Sequence, residues 1–193
     1  MSKPIQRENR HPALAHLDSD QEVGTTTIGE LAGFTCLDLR GDSESPEFCQ
    51  IVQQTLRVAL PTTPNTRTHN NDGTMLFWLG LDQWFVLIPG YDNENDSQSY
   101  EARMQASNFQ EFAVTNVSSG FAMLSLQGNG ASETIRRSTP YDLQKLNLNR
   151  CTQTVFAKTQ VLMWPQDQND YRLVVRRSLA GYLHHWLCDA ARE

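Results

Sequence analysis

Leu37-Asp38-Leu39-Arg40-Gly41-Asp42 returns 87 residues later as Leu124-Ser125-Leu126-Gln127-Gly128-Asn129. In both places apolar residues alternate as they do along a half-buried strand and then run into a glycine turn. Two more stretches recur in the same order. Met75-Leu76-Phe77-Trp78 returns as Val161-Leu162-Met163-Trp164 at an offset of 86, and Asp82-Gln83-Trp84-Phe85-Val86-Leu87 as Asp170-Tyr171-Arg172-Leu173-Val174-Val175 at an offset of 88. Each match alone is weak. Three in order at nearly constant spacing point to a duplicated unit, and hence to two related halves.

The first half places a helix after its glycine turn. Ser45 suits the N-cap, Pro46 the first helical position and Glu47 the positive end. Phe48, Ile51, Val52, Leu56, Ala59 and Leu60 follow three-and-four spacing, which marks one buried face before Pro61. Strands are predicted near 74–80 and 83–88. The second half repeats the order with a shorter helix near 131–138 and strands near 152–164 and 171–176. A last helix starting at Ser178 carries Leu179, Tyr182, Leu183, Trp186, Leu187 and Ala190 as an apolar face for packing across a sheet. The expected class is α+β: two β-α-β-β halves of ferredoxin-like or folate-domain-like type, with antiparallel sheets and packed helices. The organisation reads as an N-terminal docking arm over 1–27, a first half over 28–90, a polar linker over 91–110 with a short helix near 100–106, and a second half over 111–193.

Composition narrows the function. With 193 residues, 39% of them hydrophobic, and a formal charge of -6, the chain can bury a substantial core. It lacks the basic stripe that tracking a phosphate backbone requires, so nucleic acid is not an expected partner. The first residues lack a signal-peptide apolar stretch, and Trp84 to Ile88 is far too short to cross a bilayer, so a cytoplasmic location and no membrane contact are expected. Cys36, Cys49, Cys151 and Cys188 are scattered without CxxC spacing and read as buried thiols.

No candidate chemistry outweighs its plain structural alternative. Gly128-Asn129-Gly130 lies where a dinucleotide fingerprint would, but Glu133 stands in place of the third glycine and the repeat keeps only Gly41, so a structural turn is expected. His184 and Cys188 share a helix face without a recognisable third metal ligand, and the neighbouring His185 points elsewhere. His11, His16 and His69 read as loop residues. Ser118-Ser119-Gly120 is not a nucleophile elbow, and Arg40-Gly41-Asp42 at a strand end reads as a turn. Arg176-Arg177 either pair with a partner's carboxylates or with acids of this chain. Catalytic, cofactor-binding and metal-binding residues are accordingly expected to be none.

Several stretches together resemble the gamma-subunit family of bacterial heterotetrameric sarcosine oxidases. They are Pro12-Ala13-Leu14-Ala15, Leu39-Arg40-Gly41-Asp42, Leu60-Pro61 with Asn65, and Trp78-Leu79-Gly80-Leu81-Asp82-Gln83-Trp84. Further along come Val114-Thr115-Asn116-Val117-Ser118-Ser119-Gly120, Tyr141-Asp142-Leu143, Arg150-Cys151-Thr152-Gln153-Thr154, Ala157-Lys158 and Tyr171-Arg172-Leu173-Val174-Val175-Arg176-Arg177-Ser178. The resemblance implies a subunit without a cofactor in an enzyme that oxidises the N-methyl group of sarcosine, giving glycine, hydrogen peroxide and formaldehyde or methylene-tetrahydrofolate. It implies FAD, FMN, NAD and folate in alpha and beta subunits and zinc in a delta subunit. Expected partner contacts are Pro12, Leu14, Arg176 and Arg177.

The second half more distantly resembles the folate-binding domain of the glycine-cleavage aminomethyltransferase. There an acidic residue is implied where this chain has Asn116, and a catalytic carboxylate on the strand matching 158–164, where this chain has neither Asp nor Glu. Without a carboxylate, proton transfer at a folate nitrogen loses its assistant. The alternative reading is a stand-alone folate-binding or aminomethyltransferase-like protein.

Overall fold

In the computed structural model, residues 12–14, 20–92 and 99–192 are described; the remainder of the arm, with His11 and His16, and residues 93–98 lie outside them. Eleven strands and four helices follow one another along the described residues: β1 (Gln21–Val23), β2 (Thr26–Leu31), β3 (Phe34–Arg40), α1 (Pro46–Leu56), β4 (Arg67–His69), β5 (Met75–Gly80), β6 (Gln83–Pro89), α2 (Tyr100–Gln105), β7 (Ala113–Asn116), β8 (Phe121–Gln127), α3 (Ala131–Ser138), β9 (Thr152–Phe156), β10 (Thr159–Asp167), β11 (Asp170–Arg176) and α4 (Ala180–Arg192). One sheet runs β1-β2-β8-β11-β10-β9 and the other β4-β5-β6-β3-β7.

The duplication is visible in this order. β3-β6-β5-β4 in one sheet and β8-β11-β10-β9 in the other are the same succession of strands. Each half also lends a strand: β2 pairs with β8, and β7 pairs with β3, all antiparallel. The halves of the sequence are thus interleaved at their first strands. Residues 21–27, the end of the arm, form β1 and the beginning of β2.

Registers correct the sequence offsets. Leu37 pairs with Val86, and Leu124 with Leu173. Leu76 pairs with Val86, and Met163 with Leu173. Leu76 and Val86 lie in the core beneath α1, while Met163 and Leu173 lie in the core beneath α3 and α4. All three strands therefore repeat at 87. The offsets of 86 and 88 each slip by one residue, which turns every side chain to the opposite face of the sheet. Trp164 is the counterpart of Phe77, not of Trp78.

Alternation builds four layers. Leu37, Leu39, Val86 and Leu76 face α1 and α2 with Phe48 and Met104. Leu124, Leu126, Met163 and Leu173 face α3 and α4 with Ile135 and Leu183. Between the sheets lie Cys36, Phe77, Phe85 and Leu87 from one, and Met123, Leu162, Trp164 and Val174 from the other. Phe77 and Trp164 approach to 4.5 Å between ring centroids, within the range favoured by tilted aromatic pairs.

Helix ends follow their local chemistry. The Ser45 hydroxyl accepts from the Phe48 N–H at 3.2 Å, and Pro46 begins α1. The helix stops at Leu56, because Arg57 turns left-handed at φ 57° and donates its N–H to Gln53 O. Ala59 and Leu60, expected on the helix, lie beyond it, although Leu60 still packs on the same core. The last helix differs more. A 3₁₀ turn over Arg177–Leu179 precedes α4, whose Leu183, Leu187 and Ala190 are buried, but Leu179, Tyr182 and Trp186 are 39%, 40% and 39% exposed. The expected single apolar face is therefore two faces, one buried and one on the surface.

Candidate functional site

A cleft of about 210 Å³ opens at one end of the space between the sheets, floored by Phe85, Leu162 and Val174. Its polar lining already bonds within the chain. Gln83 donates to Asp38 Oδ1 at 2.7 Å, Gln153 to Leu79 O at 3.2 Å and Gln160 to Gln153 Oε1 at 3.4 Å. The Arg176 guanidinium lies 4.7 Å above the Phe121 ring. Among the described residues, the lining holds one carboxylate, Asp38, and no histidine, cysteine or lysine. It offers hydrogen bonds and an apolar floor, but no acid–base couple.

The residues singled out in the sequence fall at separate places. Gly128 has φ +102°, and a Cβ there would sit 2.4 Å from Thr25 O; a Cβ on Gly130 would meet Thr26 Oγ1 at 2.5 Å. These glycines admit the β1–β2 hairpin against the turn, and Gly130 N–H donates to Thr25 O at 3.1 Å. The Gly-Asn-Gly turn is thus filled by this chain's own backbone. Gly41 lies under the Phe48 ring, and Arg40 lies between Asp38 and Asp82 at 3.7 and 3.5 Å.

Ser118 is held on three sides. Its hydroxyl accepts from Cys36 N–H at 2.8 Å and donates to Asn116 Oδ1 at 2.5 Å, and its own N–H reaches the same Oδ1 at 3.1 Å. His184 and Cys188 are both buried on α4, with the thiol 3.8 Å from Nδ1. Among the described residues no three His, Cys, Asp or Glu side chains gather as a metal site. His69 lies at the end of β4, paired with Met75.

Cys36, Cys151 and Cys188 are buried, and Cys49 is half-buried. Burial pushes the Cys151 thiol up to about 12, opposed by the nearby Arg67 guanidinium. Folded Cys151 therefore keeps its proton while the unfolded thiol loses it from about pH 8.5. Its contribution to stability is complete below that pH and is lost as pH rises toward 12. Urea midpoints measured from pH 8 to 10.5 are expected to fall, with a shallower fall in Cys151→Ala than in the parent protein.

The pair formed by Asn116 and Glu30 escaped the sequence reading. Leu37 pairs with Asn116, and its repeat counterpart Leu124 pairs with Glu30, so the two residues hold one position in two halves. At Glu30 the carboxylate accepts the N–H groups of Ala13 at 2.7 Å and Leu14 at 2.6 Å. At Asn116 the amide nitrogen is buried without an acceptor among the described residues. The acid of this position thus secures the arm in one half and is an amide in the other. Aligning β2 with β7 in the repeat would have found it.

The expected contact residues divide. Pro12 is exposed, and Leu14 is buried in the core under α3 and α4. Arg176 is exposed and Arg177 half-buried, and both line an open concavity of about 620 Å³ with Ala13, Ser119, Gly120 and Ser178.

The fold defines a class by its architecture: an internally duplicated α/β/β/α protein. Aminomethyltransferase T of the glycine cleavage system from Bartonella henselae shares that fold, with a TM-score of 0.61 and 12% identity, covering 88% of this chain and 47% of that one. At the positions where the transferase resemblance implies acids, this chain has Asn116 and the acid-free stretch 158–164, and Asp167 at the exposed end of β10 lies beyond that stretch.

Residues 40–193 match the model of the sarcosine oxidase gamma subunit family, and the chain belongs to that family. The gamma subunit of sarcosine oxidase from Corynebacterium sp. (strain U-96) is 28% identical over 192 residues, 95% of this chain and 90% of that one. The Arthrobacter sp. gamma subunit is 26% identical over 173 residues, 89% of this chain and 82% of that one. The structure of heterotetrameric sarcosine oxidase from Corynebacterium sp. U-96 in complex with pyrrole 2-carboxylate matches at a TM-score of 0.81 and 27% identity, covering 94% of both chains. The family resemblance drawn from the sequence is thereby confirmed.

Proposed function

We propose that this chain is a structural, non-catalytic subunit of a heterotetrameric sarcosine oxidase in the cytoplasm. In that complex the oxidative demethylation of sarcosine, giving glycine, hydrogen peroxide and formaldehyde or methylene-tetrahydrofolate, takes place on other subunits. Alpha and beta subunits would hold FAD, FMN, NAD and folate, and a delta subunit zinc. The observation that carries the reading is the family match over residues 40–193, joined to a cleft whose polar groups bond one another.

The chain's organisation supports this role. An arm over 1–27 touches the body at Ala13 and Leu14, halves over 28–90 and 111–193 share their strands, and the connection over 91–110 carries α2. Pro12, Leu14, Arg176 and Arg177 remain the proposed contact residues, Leu14 by fixing the arm rather than by exposure.

Expressed with the other oxidase subunits of its host, the tagged chain should recover them with their flavin absorbance in constant ratio. Recovery of the chain alone would sink the reading. A tetrahydrofolate titration of the isolated chain should give no binding heat in a calorimeter, since Asn116 and the acid-free stretch 158–164 stand where the transferase resemblance implies carboxylates. Micromolar binding would favour a stand-alone folate protein.

A further inference from the structure

We infer that the outer face of α4, with the Arg176–Arg177 concavity at its start, docks another oxidase subunit through a segment that presents apolar side chains and a carboxylate beside them. This rests on the subunit reading above. Leu179, Tyr182 and Trp186 fall at i, i+3 and i+7, so they form one stripe along the helix. Leu183 and Leu187, each about 100° round the helix from Tyr182 and Trp186, already join the core.

Single exposed apolar residues are ordinary, as with Leu81 at the hairpin between β5 and β6, which is 85% exposed. A stripe containing two large aromatics is different. Tyr and Trp are the side chains that anchor interface centres, where they exchange water for a partner's apolar surface.

Charge selects the occupant. The stripe begins at Leu179, directly after Ser178 on the rim of the concavity of about 620 Å³. Arg176 is exposed, has no carboxylate partner among the described residues, and is steadied over Phe121. A guanidinium so placed accepts a carboxylate in two-point geometry, and the N-terminal end of α4 adds positive potential. The chain as a whole carries -6, so this end is a local exception that a partner's acid would complement.

The test uses the complete oxidase. The chain is co-expressed with its partner subunits as wild type, as Y182E/W186E, as R176E and as the control L81E. Recovery of partner subunits should fall tenfold or more for Y182E/W186E, fall less for R176E and stay unchanged for L81E. Equal recovery by Y182E/W186E and wild type overturns the surface while leaving the subunit reading intact; no recovery by wild type overturns both. Hydroxyl-radical footprinting of the wild-type complex needs no variant to fold. Tyr182 and Trp186 should be oxidised at least fivefold less than in the isolated chain, and unchanged oxidation overturns the inference. If the isolated chain is a dimer by light scattering and already shows the protection, the face belongs to a second copy and the inference fails.

Discussion

Gly128→Ala is expected to destabilise the protein by about 3 kcal/mol or more, lowering the thermal midpoint by roughly 6–12 °C for a chain of this length. Two independent costs meet at this position. Its φ of +102° lies outside what an L side chain adopts without strain, and the added methyl would sit 2.4 Å from the carbonyl oxygen of Thr25. That oxygen belongs to backbone, and it accepts the Gly130 N–H, so it cannot move without opening the contact between the β1–β2 hairpin and the β8–α3 turn. Gly130→Ala provides the comparison. Its methyl would meet the Thr26 and Thr25 hydroxyls at 2.5 and 2.7 Å, which are side-chain atoms, and its φ of -84° suits alanine. The expected cost is about 1 kcal/mol. Differential scanning calorimetry of both variants checks the contrast; equal midpoints would show that the hairpin does not restrain the turn.

The same turn shows how much of this protein was legible in its sequence. Strand alternation followed by a glycine was enough to find β3 and β8, and Ser45-Pro46-Glu47 was enough to start α1, because both signals are local. Face assignment is not local. Trp78 and Trp164 matched by residue type, yet the register puts Phe77 opposite Phe85 and Trp164 opposite Arg172, which fixes the repeat at 87 and sends the two tryptophans to opposite faces of their sheets. Likewise, Tyr182 and Trp186 are as apolar as Leu183 and Leu187, so hydrophobic periodicity alone merged a core face with an exposed one.

The exchange of first strands was illegible for a related reason. A strand's sequence states that one face is buried, not which sheet buries it. Val114 could pair beside Leu39 or within its own half; in the fold it pairs beside Leu39, and the turn over 118–120, where Ser118 donates its N–H and hydroxyl to Asn116 Oδ1, separates β7 from β8. Of the candidate site, Asn116 and the acid-free stretch 158–164 can be read directly, whereas Glu30 needed the pairing of β2 with β8 to be recognised as the counterpart of Asn116.

Trp164→Ala is expected to cost about 3–5 kcal/mol, the range for removing a large aromatic from a packed core. Trp164 is fully buried, packs tilted against Phe77 at 4.5 Å between ring centroids and stands where the two sheets meet, so the cavity opens at the joint between the halves. Phenylalanine separates packing from hydrogen bonding. The Trp164 Nε1 finds no acceptor among the described residues, so Trp164→Phe removes an unsatisfied donor while leaving a smaller void. Those effects oppose each other, each on the order of 1 kcal/mol, and the variant should unfold near the parent midpoint. Trp84 reverses the outcome. Its Nε1 donates to Pro61 O at 2.8 Å, so Trp84→Phe loses packing and strands a buried carbonyl, for about 2 kcal/mol or more. Urea unfolding of the two phenylalanine variants should therefore differ clearly in midpoint. Equal losses would mean that Trp164 has an acceptor after all, and that the joint between the sheets is held by a hydrogen bond as well as by aromatic packing.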